Sequence, residues 1–162
     1  MEDHGSPALR ALLASFPDAI LATHAQCGDA TALVDSERVD QLLRRLRDDP
    51  ELAFEMLTDL TCVDYLGEEP RFEVVYHLYS VAKNHRVRLK ARVSEASPEL
   101  PSAIGLWASA DWMEREVWDL YGVRFRGHPD LRRILLYDGF EGHPLRKDYP
   151  KEKRQPLVGP RN

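Results

Sequence analysis

Charged side chains that could do chemistry are concentrated in one short segment, Glu114-Arg115-Glu116 followed by Asp119. Helical residues three or four apart share a face, so Glu116 and Asp119 would lie together, with Arg115 one turn before Asp119. Two carboxylates at that spacing could serve as general acid and base or bind a metal ion, if an organised pocket surrounded them. Ion pairs with neighbouring arginines are the simpler interpretation. We therefore predict salt bridges that fix the direction in which the chain leaves this helix.

Histidines and cysteines offer little further chemistry. His128 and His143 each precede a proline, and because a two-histidine metal site would need more ligands, we expect loop histidines bonded to the backbone. Cys27 and Cys62 are too few for a four-cysteine zinc or iron–sulfur site, and we expect two buried thiols. The sequence has no Ser/His/Asp, Cys/His, phosphate-loop or HExxH pattern. An independent hydrolase is thereby disfavoured.

Composition indicates one globular, soluble domain. The chain has 162 residues, of which 43% are hydrophobic and 30% charged, which is far from the composition of disordered proteins. Its N-terminus lacks a secretory leader, and no apolar run approaches the roughly 20 residues of a membrane span. These features predict a location in the bacterial cytoplasm.

Charge is distributed unevenly along the chain. Residues 1–70 carry 15 acidic and 5 basic side chains, whereas residues 71–162 carry 12 acidic and 17 basic ones. A basic end of this kind can bind nucleic acid, an anionic membrane or an acidic protein. The basic residues of 85–93 do not alternate with aromatic residues that could stack on bases, so nucleic-acid binding is disfavoured there.

Periodicity predicts the elements that position these residues. Apolar spacing indicates a helix capped by Ser6, a second capped by Asp35 or Ser36, a short helical turn from Ser102, and a helix capped by Asp111 and ended by Gly122. Alternating or β-branched runs indicate five strands, at 19–24, 30–34, 54–65, 71–81 and 85–93. The order α-β-β-α-β-β-β-α predicts an α+β fold, a two-layer domain with helices packed on a mixed sheet.

Beyond residue 122 the periodicity disappears. We therefore divide the chain into an α+β domain at 1–122 and an extended, irregular C-terminal arm at 123–162. The arm nevertheless contains nine large apolar side chains: Phe125, Leu131, Ile134, Leu135, Leu136, Tyr137, Phe140, Leu145 and Tyr149. Because ordering such a segment costs more entropy than its own domain could offset by apolar burial, we expect the arm to be mobile alone and ordered on a partner.

The segment from Glu114 to Leu135 resembles the signature of a known family, the thirty-kilodalton subunit of respiratory complex I, which is lettered C in bacteria. The matching positions are the Glu-Arg-Glu opening, Asp119, and then His128-Pro129-Asp130-Leu131-Arg132-Arg133-Ile134-Leu135. The resemblance covers about residues 52–149, including Gly142-His143-Pro144-Leu145-Arg146-Lys147-Asp148-Tyr149. Trp118, where Phe or Tyr is usual, is a small departure from the pattern.

The resemblance implies a non-catalytic peripheral-arm subunit of a proton-translocating NADH:quinone oxidoreductase. It implies no cofactor in this chain, with NADH, FMN, iron–sulfur clusters and quinone held elsewhere in the complex. The implied signature and interface residues are Glu114, Arg115, Glu116, Asp119, His128, Arg132, Arg133, His143, Arg146 and Lys147.

The resemblance also implies partners and a location. The first partner is the larger neighbouring subunit that shapes the quinone pocket, lettered D, which we call the quinone-pocket subunit. The second is the one that shapes the pocket with it, lettered B, and further peripheral-arm subunits lie nearby. The complex would hold the chain on the cytoplasmic side of the bacterial inner membrane.

Two alternatives stay open. The same module could belong to a membrane-bound hydrogenase or to a dehydrogenase with another electron donor. A protein of another class, an independent hydrolase or a nucleic-acid-binding module, would have to show activity or binding as a purified chain.

Overall fold

The structure, a computed structural model, describes residues 1–153. Within these residues, three α-helices and seven strands are interspersed along the chain. They are α1 (Pro7–Ser15), β1 (Ile20–His24), β2 (Thr31–Val34), α2 (Val39–Asp48), β3 (Met56–Asp64), β4 (Phe72–Ser80), β5 (His85–Val93), β6 (Glu99–Pro101), α3 (Ala110–Tyr121) and β7 (Arg124–Arg126). The predicted α+β class, with its mixed sheet, is confirmed.

Five strands form the main sheet in the order β1-β2-β5-β4-β3. Strand β2 pairs with β5 in parallel, and the other neighbours are antiparallel. The alternation of apolar and basic residues in β5 gives one buried and one wet face. Its apolar side chains are buried, while its basic ones remain at least partly exposed. The inward residues of the sheet share one hydrophobic core with the apolar faces of α1 and α2.

Helix α3 packs along β3, the edge strand of this sheet. The Ser109 hydroxyl at its start donates to the Leu57 carbonyl oxygen at 3.2 Å. Covering an edge strand with a helix keeps its backbone groups from pairing with another chain. As predicted, Gly122 ends the helix, with a φ of 79° that favours glycine.

Two expectations need correction. Asp111 is not the N-cap of α3, because Ser109 holds that position and Asp111 lies in the first turn. Cys62 is buried, but Cys27 is exposed in the turn between β1 and β2. The short helical turn expected after Ser102 is present, since the N–H groups of Leu106 and Trp107 both donate to the Ala103 carbonyl oxygen, at 2.8 and 3.0 Å.

The boundary expected after Gly122 also falls too early. Residues 124–126 form β7, which pairs in parallel with β6 in a separate two-stranded sheet. Val123 and Phe125 lie in the hydrophobic core. Strands of three residues show too little alternation to be predicted. Because β7 ends at Arg126, the irregular arm begins only after that residue. The rest of the predicted arm, residues 154–162, lies outside the described residues.

Candidate functional site: the anchored arm

Asp119 anchors the arm to α3. Its carboxylate is fully buried and accepts a hydrogen bond from the Arg133 guanidinium at 2.6 Å. Its other oxygen accepts the three consecutive N–H groups of Ile134, Leu135 and Leu136 at 3.1, 3.0 and 2.9 Å. Burial alone would raise the pKa of Asp119, but these bonds hold the pKa below its usual value. The buried carboxylate thus fastens the backbone of residues 134–136 to the helix.

Arg115 completes this anchor from one turn earlier on the same helix. Its guanidinium donates to the carbonyl oxygens of Arg132 at 3.2 Å and Arg133 at 3.0 Å, and it lies 5.3 Å from the Trp112 ring centroid. Arg115 therefore binds backbone acceptors while Asp119 binds backbone donors. The i, i+4 spacing read from the sequence is what places both groups beside residues 132–136.

The predicted carboxylate pair does not form. Glu116 is exposed, whereas Asp119 is buried. The first glutamate of the motif is the buried one. Glu114 has no exposed surface and accepts hydrogen bonds from the Ser102 hydroxyl and the Ala103 N–H, each at 2.6 Å. Burial raises the pKa of Glu114 to about 7.

Both histidines bond to the backbone, as expected. The His128 Nε2 lies 3.2 Å from the Asp111 carbonyl oxygen and 3.2 Å from its carboxylate, and Nδ1 accepts the Asp130 N–H at 3.1 Å. The His143 Nδ1 lies 2.9 Å from the Asp119 carbonyl oxygen. Burial lowers the pKa of His143, which disfavours the protonated ring. In the described part of the chain, no group of three or more His, Cys, Asp or Glu residues could hold a metal ion.

The end of α3 fits the arm so closely that a side chain at position 122 would clash with it. A Cβ there would lie 2.6 Å from the His143 ring and 2.7 Å from the Arg146 guanidinium. Arg146 donates to the Tyr121 carbonyl oxygen at 2.6 Å and stacks 4.9 Å from the Phe72 ring centroid. The arm therefore passes across the exposed carbonyls at the C-terminus of α3.

A second anchor, which the sequence did not predict, lies around Arg71. Only 2% of Arg71 is exposed, and its guanidinium binds Asp64 and Asp148 through two hydrogen bonds each, all between 2.8 and 3.0 Å. It also donates to Glu95 at 2.7 Å, while Asp64 accepts the Lys147 N–H at 2.7 Å. The Arg71 bond holds the pKa of Asp64 below its usual value. We call this cluster the Arg71 clasp; it joins the ends of β3, β4 and β5 to the arm.

One pattern in the sequence could have revealed the clasp. Asp64 falls near the end of one predicted strand and Arg71 at the start of the next. An unpaired charge that is buried at such a position is costly. Asp148 stands in the second block of the family resemblance. Three charges at such positions indicate a buried ion-pair network, although only the fold shows that they meet.

The basic residues of the arm divide into two groups. Arg133 and Arg146 make their hydrogen bonds within the chain, and their contact with a partner stays a prediction. Arg132 is 71% exposed and pairs with Asp130 at 2.9 Å, and Lys147 is exposed. Hydrogen bonds to buried charges hold the backbone of residues 132–136 on α3, which argues against the prediction that the arm is mobile without a partner.

Apolar side chains of α3 and the arm point outwards in contrast. Trp112 is 60% exposed, Leu135 61% and Leu145 49%. Each is close to an anchored part of the chain. Trp112 stacks on Arg115, the Leu135 N–H donates to Asp119, and the Leu145 N–H donates to the Leu120 carbonyl oxygen at 3.1 Å. We call Trp112, Leu135 and Leu145 the exposed apolar set. The described residues contain no helix long and apolar enough to cross a membrane.

These features define a class of protein: an α+β domain whose edge helix carries a signature of charged residues that fasten an extended arm. The family model for the respiratory-chain NADH dehydrogenase 30 Kd subunit matches residues 32–155. The chain belongs to this family, as the motif predicted.

Relatives and solved structures agree. The chain is 52% identical to the thirty-kilodalton (C) subunit of the NADH-quinone oxidoreductase of Roseiflexus castenholzii, over 88% of this chain and 82% of the relative. It is 48% identical to the same subunit of Citrifermentans bemidjiense, over 89% of each. Among solved structures, the trypsin-resistant fragment (1-134) of Nqo5 aligns with a TM-score of 0.63 and 32% identity, covering 68% of this chain and 89% of that one.

A second solved structure shows how widely the fold is used. A chain of the membrane-bound sulfane sulfur reductase, an archaeal respiratory membrane complex, aligns with a TM-score of 0.73 over 89% of this chain and 84% of that one. At 23% identity the likeness concerns the fold alone. The chain is thus a peripheral-arm subunit of an NADH-quinone oxidoreductase by family and a member of a fold found in another respiratory complex.

Proposed function

We propose that this chain is a non-catalytic docking subunit of the peripheral arm of complex I. Its arm presents a preformed apolar surface to the quinone-pocket subunit, next to the B component of that pocket. The observation that carries the proposal is that charged and apolar groups have different roles along the arm. Charged groups bind its backbone to the chain's own domain, while the exposed apolar set faces outwards.

Energetics support a docking role for these side chains. A large apolar side chain contributes about 1.5–3 kcal/mol when it is fully buried, so three exposed ones forgo that stabilisation unless a partner covers them. Aromatic residues are enriched in the centres of protein interfaces, and Trp112, held in place by its stacking on the buried Arg115, provides an exposed one. Because the arm is already held in place, docking costs little conformational entropy.

Cofactors and catalysis belong, in this proposal, to other subunits of the complex. The isolated chain would bind neither NADH nor FMN, would hold no iron–sulfur cluster and would be inactive alone. Arg115 and Asp119 of the signature are engaged in hydrogen bonds to arm backbone, which suits support rather than turnover. The complex would place the chain on the cytoplasmic side of the inner membrane, bound through its partners.

The alternatives rank below this proposal. Relatives with about half of their residues identical carry the name of this NADH-quinone oxidoreductase component, which favours that complex over a hydrogenase or a dehydrogenase with another donor. Purification of the intact complex, with identification of its electron-input subunits, separates these possibilities. A hydrolase or nucleic-acid-binding role has no feature of the site in its favour.

Substitution of one exposed apolar residue tests the docking proposal. We expect Leu135→Asp to abolish co-purification of the chain with the quinone-pocket subunit, because it places a charge in an apolar interface. Leu21→Asp is the matched control, since Leu21 on β1 is 59% exposed, close to the 61% of Leu135. Equal recovery of the quinone-pocket subunit with both variants, at equal expression, would contradict the proposal.

A further inference from the structure

Glu114 differs from the other buried acids of the chain. Four acidic side chains in the described residues are buried: Asp64, Glu73, Glu114 and Asp119. Three of them form close ion pairs, at 2.8, 2.9 and 2.6 Å respectively: Asp64 with Arg71, Glu73 with Lys90, and Asp119 with Arg133. Within residues 1–153, Glu114 has no cation at ion-pair distance. An ionised carboxylate in that position would be stabilised by two hydrogen bonds alone.

The groups around Glu114 make its negative charge less favourable. Asp111, on the preceding turn of α3, adds a second negative charge. Tyr76 of β4 is fully buried, and its hydroxyl has no hydrogen-bond partner in the described structure. Cys62 of β3, which lies near Tyr76, is an uncharged buried thiol. Arg126 of β7, whose backbone bonds to the same turn, directs its side chain to Glu37 and Glu99 instead.

We propose that Glu114 is a proton-binding site, whose neutral carboxyl group ties α3 to the turn after β6 in the folded chain. The donors support this assignment. Ser102 bonds to one carboxyl oxygen through a hydroxyl, which can either donate or accept, so the contact survives protonation. The Ala103 N–H donates to the other oxygen, which accepts in either state. Burial, which raises the pKa of Glu114 to about 7, agrees with this geometry.

The location gives the proton a structural effect. The turn tied by Glu114 follows β6, and β6 pairs with β7, from which the arm departs. The Ser102 N–H also donates to the Arg126 carbonyl oxygen at 2.9 Å. Ionisation of Glu114 would place an unpaired charge beneath the root of the arm. The stability of this region should therefore fall as the pH rises from about 4.5 towards about 7.

The direction of the pH dependence follows from the linkage between proton binding and folding. The folded chain holds its proton up to a pH of about 7, whereas an unfolded glutamate releases it near 4.5. Between these values the folded state binds more protons, so stability falls as the pH rises. Across this window the folding equilibrium constant should drop roughly a hundredfold or more through Glu114 alone.

The test compares three forms of the full chain: wild type, Glu114→Gln and the control Glu116→Gln. Glutamine keeps the shape and both contacts of a neutral carboxyl, and Glu116 is an exposed acid on the same helix. Urea unfolding is measured between about pH 4 and pH 8, which spans the folded and unfolded pKa values of Glu114. We expect wild type and Glu116→Gln to lose stability together relative to Glu114→Gln as the pH rises.

Carbon-13 NMR of the glutamate side chains gives a readout that does not depend on the variants folding. We expect the Glu114 carboxyl resonance of the wild-type chain to titrate near neutral pH. Titration of Glu114 near 4.5, the value of an unfolded glutamate, would overturn the proposal. A stability difference between wild type and Glu114→Gln that does not change with pH would overturn it too.

Discussion

Removal of the Asp119 carboxylate should release the arm without unfolding the domain. Asp119→Ala deletes the acceptor of three backbone N–H groups and leaves the Arg133 guanidinium, whose side chain is only 18% exposed, without its anion. Breaking a buried ion pair by removing one partner costs about 3–5 kcal/mol. Arg133 keeps its bond to the Phe140 carbonyl oxygen at 2.6 Å, so we expect the lower end, about 3 kcal/mol.

The cost should appear as local opening, because the arm can detach while the sheet stays folded. Since about 1.4 kcal/mol is a tenfold change, amide protection of residues 134–136 should fall roughly a hundredfold. Hydrogen exchange followed by NMR measures this directly, with the β5 amides as an internal reference. Recovery of the quinone-pocket subunit with the variant should fall in parallel.

Glu116→Ala is the control for this experiment, because Glu116 lies on the same helix but is exposed. It should leave the protection of residues 134–136 unchanged. Unaltered protection of these amides in Asp119→Ala would refute the anchoring role of Asp119. Normal assembly with a lower turnover per complex would instead indicate a direct part in the chemistry.

Three further predictions concern the clasp, the helix end and the thiols. Arg71→Ala strands Asp64, which is 3% exposed, and should destabilise the chain by about 3–5 kcal/mol in urea unfolding; a change under about 1 kcal/mol, the range of an exposed ion pair, would contradict the burial of the clasp. Gly122→Ala should lower stability and weaken arm protection, because its Cβ meets His143 and Arg146 at a positive φ, whereas Gly139→Ala, with a positive φ but no neighbour within 4 Å, should cost less. Cys27 should react with a thiol reagent in the folded chain and Cys62 only after unfolding, since burial raises the pKa of Cys62 to about 12; equal reaction of both would refute this.

Local patterns predicted most of the elements because their determinants are local. The Ser6 cap, the strict alternation of β5 and the Gly122 stop each depend on residues within a few positions of one another. The mixed sheet order is different, since the parallel pairing of β2 with β5 joins segments that are far apart in sequence. Strands β6 and β7 escaped prediction because three residues carry no periodic pattern.

The candidate site was predicted in part. Spacing alone placed Arg115 and Asp119 on one face, and the structure shows that this face holds the arm. Spacing could not show that Glu116 points to solvent and Glu114 to the core, because that depends on where the sheet lies against α3. The Arg71 clasp required four separate segments to meet.

The arm itself shows why apolar burial was an incomplete guide. Weighing the entropy of ordering against apolar contacts alone led to the prediction that the free arm is mobile. Charge-assisted hydrogen bonds are about twice as strong as neutral ones, and the arm makes several of them with Asp119, Arg115 and Arg71. Two large apolar side chains of the arm, Leu135 and Leu145, nevertheless remain exposed, which is the arrangement that a docking surface requires.

Photo-crosslinking from the arm tests the docking account most directly. A benzoylphenylalanine side chain would replace Leu135 in the chain assembled in its own cells, with a second variant carrying it in place of Leu21. After irradiation and purification, mass spectrometry identifies the cross-linked protein. The account predicts a cross-link from position 135 to the quinone-pocket subunit and none from position 21. The absence of any cross-link from position 135 to another component, in a complex that is intact, would contradict the docking account.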